Sequence, residues 1–343
     1  RGLYSKYAPV PSTVFALGKL LGGYTVALAG IAAGLVAGTV ALGRELFDAR
    51  VGALPLDNIP LVAGSWWTRE WYRLRMAQRY VYMSSLSLSR KVLVLTGRWS
   101  LFRADLVLQP SFAAQILNDA IYHSRLGKIE MLTGEDKSTW HWVAARGWDV
   151  LFVPDARIHP MEALPRGGFV SASAKLMMRW FGNMFRGGVR GLEIGPGTLG
   201  LFPWLVLLDQ RIAMWTTLTG PAFFGLLAAV LDWRFLALFA LWVSLSRFVQ
   251  ATLVAGISGR FHPAFIHLLF YGQVVGALVK VYVFFNPHVQ RWTRQNTGAS
   301  APAGSTLSRA LMVLSVTLFF GTIVLFSGVL DGRNPLAIDA AAR

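Results

Sequence analysis

Thr133 to Trp140 reads Thr-Gly-Glu-Asp-Lys-Ser-Thr-Trp, which sets two adjacent acids and a lysine between the apolar approach 129–132 and the tryptophans Trp140 and Trp142. A carboxylate held in such a place can take a proton from a hydroxyl group. Asp136 and Ser138 also suit a helix N-cap, the structural alternative. In a chain with 17 acidic and 33 basic residues, this polar knot is the first place to look for chemistry. Two further polar sets lie inside apolar stretches. Arg247 and Gln250 stand one helical turn apart, and Gln273 and Lys280 two turns apart, so each pair can share a face. Ionisable groups at that depth face a bundle interior or an aqueous path. The bland reading is that Arg247 and Lys280 snorkel or pair structurally. His123, His141 and His159 have no metal-ligand spacing and read as structural.

These residues need a membrane framework. The 343 residues are 54% hydrophobic with mean hydropathy +0.48, too apolar for an ordinary soluble domain. Spans are predicted near 24–42, 212–231, 235–256, 263–285 and 310–329. The first reads as a retained anchor, with Gly30, Gly34 and Gly38 on one face for close helix contact. With no cysteine, disulfides, thiolate zinc sites and cysteine nucleophiles are excluded. The formal charge of +16 comes without a basic arm or recognition module. It points to anionic lipid and an anionic substrate or product rather than nucleic acid, with a share owed to positive-inside bias.

Between the spans, the pattern predicts a loop over 43–60, an Arg- and aromatic-rich amphipathic helix over 65–91 and β-rich runs at 91–95 and 99–104. It predicts helix over 110–127, a helix after the acidic knot ending at Gly147, and a buried strand over 148–153. An amphipathic piece over 171–190, a glycine-rich loop over 187–200, an interfacial segment over 201–211 and a linker over 297–305 complete the reading.

A membrane polymerase adding activated sugars needs a base for the acceptor hydroxyl, cationic help for a departing diphosphate, an aromatic platform and a way out. Asp136, Arg179, Trp180 and the polar span residues could supply these. The order and spacing of Thr-Gly-Arg-Trp-Ser-Leu-Phe-Arg (96–103), Leu-Thr-Gly-Glu-Asp-Lys-Ser-Thr-Trp (132–140), Gly-Trp-Asp-Val-Leu-Phe-Val-Pro-Asp (147–155) and Lys-Leu-Met-Met-Arg-Trp (175–180) resemble the second half of processive family 2 glycosyltransferases. Hyaluronan, chitin and cellulose synthases belong to that group. The stretches 207–216 and 276–285 make the alginate-polymerising, mannuronan synthase type the most similar, and the likeness covers roughly 66–296.

The resemblance implies an α-helical membrane protein with a cytoplasmic α/β glycosyltransferase (GT-A) domain of which only the acceptor-side half is present. The implied division is 1–60 for the first span and loop, 61–170 for the catalytic part, 171–211 for interfacial helices, 212–296 for channel helices and 297–343 for linker, last span and tail. It makes Asp136 the base with Glu135 beside it. Lys137, Arg179, Trp180, Arg98, Trp99, Trp292 and Arg294 become acceptor- or diphosphate-side residues, and Arg247, Gln250, Gln273 and Lys280 channel residues. A surface role for Arg98 and Arg103 weighs as much as acceptor contact. Leu176 replaces the glutamine of the family's Gln-x-x-Arg-Trp motif, and Trp292-Thr293-Arg294 lacks the glycine of Trp-Gly-Thr-Arg.

The resemblance also implies a divalent metal (Mg or Mn), yet no Asp-x-Asp occurs anywhere in the chain. The expectation is therefore that residues 53–66 join two segments of a longer chain whose nucleotide-binding half lies between them. The implied activity is processive, inverting transfer from GDP-mannuronate into polymannuronate, exported across a bacterial inner membrane with a cyclic-di-GMP-binding co-polymerase. The alternatives are another polysaccharide synthase, or a non-catalytic transport or scaffold subunit.

Overall fold

A computed structural model describes residues 50–131, 134–162, 165, 167–292, 297–298 and 304–327, together with Ala37. The chain divides into two compact units, Arg1–Gly52 and Ala53–Arg343. The first unit is described only at Ala37 and residues 50–52, so the expected span over 24–42 and its glycine stripe lie outside the described residues.

The second unit carries a small α/β layer followed by long helices. Strand β1 (Val51–Asn58) pairs antiparallel with β3 (Ser100–Phe102) and parallel with β7 (Val153–Ile158), and the short β6 (Asp149–Val150) flanks its other side. All eight β1 residues are buried, so this segment is strand rather than the loop predicted over 43–60. The Pro-Leu-Asp-Asn run reads as a turn locally, but burial of Leu54 and Leu56 and pairing on both sides override that preference. Residues 53–66, where a join is expected, run as β1, β2 (Leu61–Val62) and the Ser65 cap of helix α1 (Trp66–Ser87).

Helix α1 is the predicted amphipathic helix. Val92, Leu93 and Leu95 after it are buried, but they form no strand beyond an isolated bridge from Lys91 to Val150. Asp149 anchors this corner, accepting from Arg90 Nε at 2.7 Å and Lys91 Nζ at 2.9 Å. Burial raises its carboxyl, but these two bonds overrule that and leave it below the ordinary range.

The helix predicted over 110–127 is shorter than expected. After α2 (Ala104–Val107), α3 covers only Pro110–Leu117, and β4 (Ala120–His123) pairs with β5 (Gly127–Glu130) as a hairpin. Gly127, at φ +68°, permits the turn, and Ile121 packs across from Ile129. Helix α4 (Glu135–Ala145) then begins at Gly134, and the chain turns at Gly147 as predicted. β8 (Met161–Glu162) pairs with β2.

Helix α5 spans Phe169–Leu199 and breaks its regular geometry only at Gly195, before Pro196. The glycines at 187, 188 and 191 are helical, which corrects the loop predicted over 187–200. Gly187 and Gly191 sit at close contacts, whereas Gly188 faces open space. A Cβ on Gly187 would meet the Lys137 stem at 3.1 Å, and one on Gly191 would lie 2.5 Å from Leu207 Cδ1. Only glycine lets α5 approach α4 this closely.

Four helices are long and apolar enough to cross a membrane: α6 (Leu201–Val230), α7 (Arg234–Ser258), α8 (Phe265–Phe285) and α9 (Ser305–Phe326). The interfacial segment predicted over 201–211 is the first part of continuous helix α6. β9 (Arg291–Trp292) and β10 (Thr297–Gly298) pair between α8 and α9. One core cluster joins α1, α5, α6 and α8 through residues including Trp71, Met177, Met214 and Phe265; another joins α1, α4 and the start of α6 through Met83, Trp140 and Leu207.

Candidate active site

The first turn of α4 presents Glu135 and Asp136. Gly134, at φ +105°, is the cap residue, so Asp136 lies in the first turn rather than at the N-cap. Acids there are favoured by the helix dipole. Gly134 is pressed against α5, since a Cβ on it would approach Asn183 to 3.1 Å. From the other side comes the Thr96–Ser100 turn. A Cβ on Gly97 would stand 3.6 Å from Glu135 Oε1 and 3.8 Å from Asp136 Cβ. The two sequence motifs are thus brought face to face.

Burial raises the Asp136 carboxyl, with Glu135 adding to the effect, while Lys137, Arg79 and the Lys137 backbone N–H pull it back; the net shift is upward. A carboxylate poised above its usual range is better matched to accepting a hydroxyl proton near neutral pH. Glu135 is exposed and accepts from Gly134 N at 3.2 Å. Lys137 turns inward: its Nζ donates to Leu93 O at 2.8 Å and sits 5.8 Å from the Trp140 ring. Burial pushes its ammonium down to about 8, helped by Arg79 and opposed by Asp136. Its charge therefore acts on Asp136 from within the protein.

That arrangement fixes the sign of a pH effect. A carboxylate can accept a proton only when ionised, so an activity that relies on Asp136 as base falls as pH drops through its folded value. Lys137→Met removes a cation that lowers that value. The acid limb of kcat/KM against pH should therefore move to higher pH in the variant; an unmoved limb would detach Lys137 from the base.

Groups from several elements are linked to Asp136 through the charges of Arg79 and Tyr72. Arg79 of α1 lies in the field of Asp136 first, then of Asp57 and Tyr72. Tyr72, raised chiefly by burial and then by Glu162, feels Arg179, Arg98 and Arg79 in the opposite sense. Arg98 forms an ion pair with Glu162 of β8, which gives it a defined place at the site's edge. Trp99 is half-buried in the turn that holds Gly97. Trp180 stacks on Trp71 (centroids 5.6 Å apart, planes 10°) and meets Tyr72 edge-on at 5.7 Å. One face of Trp180 is therefore occupied by Trp71. The backbone of Trp292 lies in β9, and Arg294 lies outside the described residues.

The four polar span residues converge. Arg247, Gln250, Gln273 and Lys280 line one cavity of about 270 Å³ together with Arg75 and Gln78 of α1, Phe181 of α5 and Thr217 of α6. Among the described residues its lining holds three cations and no acid. Arg247 Nη1 donates to Gln250 Oε1 at 2.5 Å, and Lys280 Nζ lies 5.0 Å from the Phe181 ring. Sequence reasoning missed Tyr72, Arg75, Arg79 and Phe181. The available signal was the run Arg69, Arg73, Arg75 and Arg79 on α1, in which Arg75 and Arg79 are one turn apart.

Among the described residues, no three His, Cys, Asp or Glu side chains gather closely enough to hold a metal ion. Asp57 is already committed, accepting from Arg260 Nη2 at 2.5 Å and from Asn58 N at 2.9 Å. These residues do not fit the divalent metal that the family likeness implies.

An acidic helix turn thus meets a Gly-Arg-Trp turn and the helix that carries Arg179 and Trp180, on a mixed sheet joined to long apolar helices. Residues 45–183 match the family described as Glycosyltransferase like family 2. The chain is also similar to two proteins named Glycosyltransferase alg8. With that of Pseudomonas syringae pv. tomato it is 41% identical over 299 residues, which is 85% of this chain and 60% of the relative. With that of Azotobacter vinelandii it is 41% identical over 262 residues, 74% of this chain and 53% of the relative. The chain thus spans between half and two thirds of the length of these relatives.

Proposed function

We propose that this chain is the acceptor-side and membrane part of a processive, inverting glycosyltransferase that joins mannuronosyl units from GDP-mannuronate into polymannuronate, the alginate precursor. In this reading Asp136 takes the proton of the acceptor hydroxyl as that oxygen attacks the anomeric carbon of the donor, and the bond to the nucleoside diphosphate breaks with inversion. Arg179 and Arg98 offset the charge of the departing diphosphate. Trp180, backed by Trp71, offers an aromatic face to the acceptor ring. Trp99, Trp292 and Arg294 belong to the same acceptor side.

The observation that carries the choice of product is the cavity lined by Arg75, Arg247 and Lys280 without any acid. A chain with a carboxylate on every sugar is attracted to such a lining, whereas a neutral glucan has no use for it. We read the cavity as part of a path across the bacterial inner membrane, with the α/β layer cytoplasmic and a cyclic-di-GMP-binding co-polymerase as partner. The nucleotide-binding half and its metal site belong, in this proposal, to a segment between residues 53 and 66. The chain covers 60% and 53% of the two alg8 relatives, so each is long enough to hold such a segment.

The test is an assay of membranes containing the full-length protein with GDP-mannuronate, UDP-glucose or UDP-glucuronate. Polymer is expected from GDP-mannuronate alone. In the same assay, Lys280→Met should lower polymer yield and length more than it lowers nucleotide binding. Polymer from UDP-glucose would overturn the polyuronate reading, and unchanged yield and length in the variant would remove Lys280 from the path.

A further inference from the structure

Arg75, one of the cavity's cations, and Arg79, which acts on Asp136 through its charge, lie on the same helix α1. With Tyr72 they occupy positions i, i+3 and i+7 and so share one helix face. Arg75 lines the cavity that holds Lys280, and Arg79, one turn further along the same face, lies in the field of Asp136 and Asp57. Four residues of helix separate them by about 6 Å along the axis.

Among the described residues neither arginine has an ion pair. Asp57, in whose field Arg79 lies, is bound by Arg260 and the Asn58 amide. Arg75 donates only to Gln78 Oε1, at 3.2 Å, and lies 5.7 Å from the Phe181 ring. A ring face attracts the cation but leaves most of its five N–H donors open. A guanidinium fork matches a carboxylate with two parallel bonds, which a lysine cannot reproduce.

We propose that Arg79 and Arg75 form a two-step ladder of carboxylate forks: Arg79 holds the carboxylate of the sugar just joined beside Asp136, and Arg75 receives it as the chain advances into the cavity. The ladder rests on the polyuronate reading and deepens it, making α1 the element that selects uronate over neutral sugar. Phe181, shared between Arg75 and Lys280, carries the path onward to the span residues.

The experiment measures binding of a labelled oligouronate and of its carboxyl-reduced, neutral counterpart to the full-length protein in lipid nanodiscs. The wild type should prefer the oligouronate, and Arg79→Met and Arg75→Met should each cut that preference by on the order of tenfold. Arg79→Lys and Arg75→Lys, which keep the charge and lose the fork, should give intermediate preferences. Binding of the neutral oligomer reports whether each variant is folded, and the lysine variants decide the matter if a methionine variant is not. An unchanged preference would overturn the ladder. So would an Arg79→Met variant that loses affinity for a nucleoside diphosphate but not for oligouronate. A wild type that prefers oligouronate yet polymerises no mannuronate would overturn the functional reading and leave the ladder standing.

Discussion

Asp136→Asn is expected to lower polymer formation by about 10²- to 10⁴-fold, the usual contribution of a general base, while leaving nucleotide-sugar binding unchanged. The substitution keeps the shape of the side chain and its place in the first turn of α4, so Gly97 and Arg79 retain their neighbour. What is lost is the capacity to accept a proton. Burial already holds the Asp136 carboxyl above its ordinary range, so the native group is tuned toward proton transfer in a way an amide cannot copy. Glu135→Gln should do much less, because Glu135 is exposed and engaged with the Gly134 amide. Initial rates of polymer synthesis, with donor binding measured in parallel, provide the check. Full activity in the asparagine variant would refute the base.

Arg190→Met should destabilise the fold by about 3–5 kcal/mol, the penalty for stranding one partner of a buried ion pair. Arg190 on α5 and Asp119 before β4 keep only 7% and 6% of their side-chain surfaces exposed. Arg190 Nη2 donates to Asp119 and, at 2.7 Å, to Ala120 O, while Ser138 of α4 donates to the other oxygen of Asp119. The Asp119 carbonyl accepts from Met131 N at 2.8 Å. The Asp119 carboxylate thus fastens α4 to α5, and the residue's backbone carbonyl ties in the strand leading into the acidic turn. Without Arg190 it remains buried and charged, and the base-bearing turn loses its anchor. Thermal unfolding and hydrogen exchange over 119–138 should both report the loss. Asp119→Asn combined with Arg190→Met should recover much of it, because no uncompensated charge is left inside. A double variant no more stable than Arg190→Met would show that the pair's charge is not what matters.

The long helices were legible because their signal is local and summed over many residues: apolar runs of bilayer length predicted four spans, and α6 to α9 are helices long and apolar enough to cross a membrane. The acidic knot stood out for a related reason, since adjacent acids are conspicuous in a basic, apolar chain. The glycine-rich stretch misled. Glycine reads as loop from local propensity, but at Gly187 and Gly191 the deciding factor is a Cβ that would collide with Lys137 and Leu207, residues distant in sequence. The 120–130 hairpin was hidden in the same way, its strands being too short to show a period and fixed by cross-strand pairing.

The composition and motif order determined that this chain is a membrane protein with an acidic turn fit for proton transfer, because hydropathy and residue type are properties of each segment alone. Only the tertiary structure decided which side chains share a site. It turned Lys137 inward to the Leu93 carbonyl, set Trp180 on Trp71, and gathered Arg247, Gln250, Gln273 and Lys280 around one cavity with Arg75. Those arrangements depend on how α1, α4, α5, α7 and α8 cross. Crossing is fixed by close packing between residues far apart in the chain, which no local pattern records.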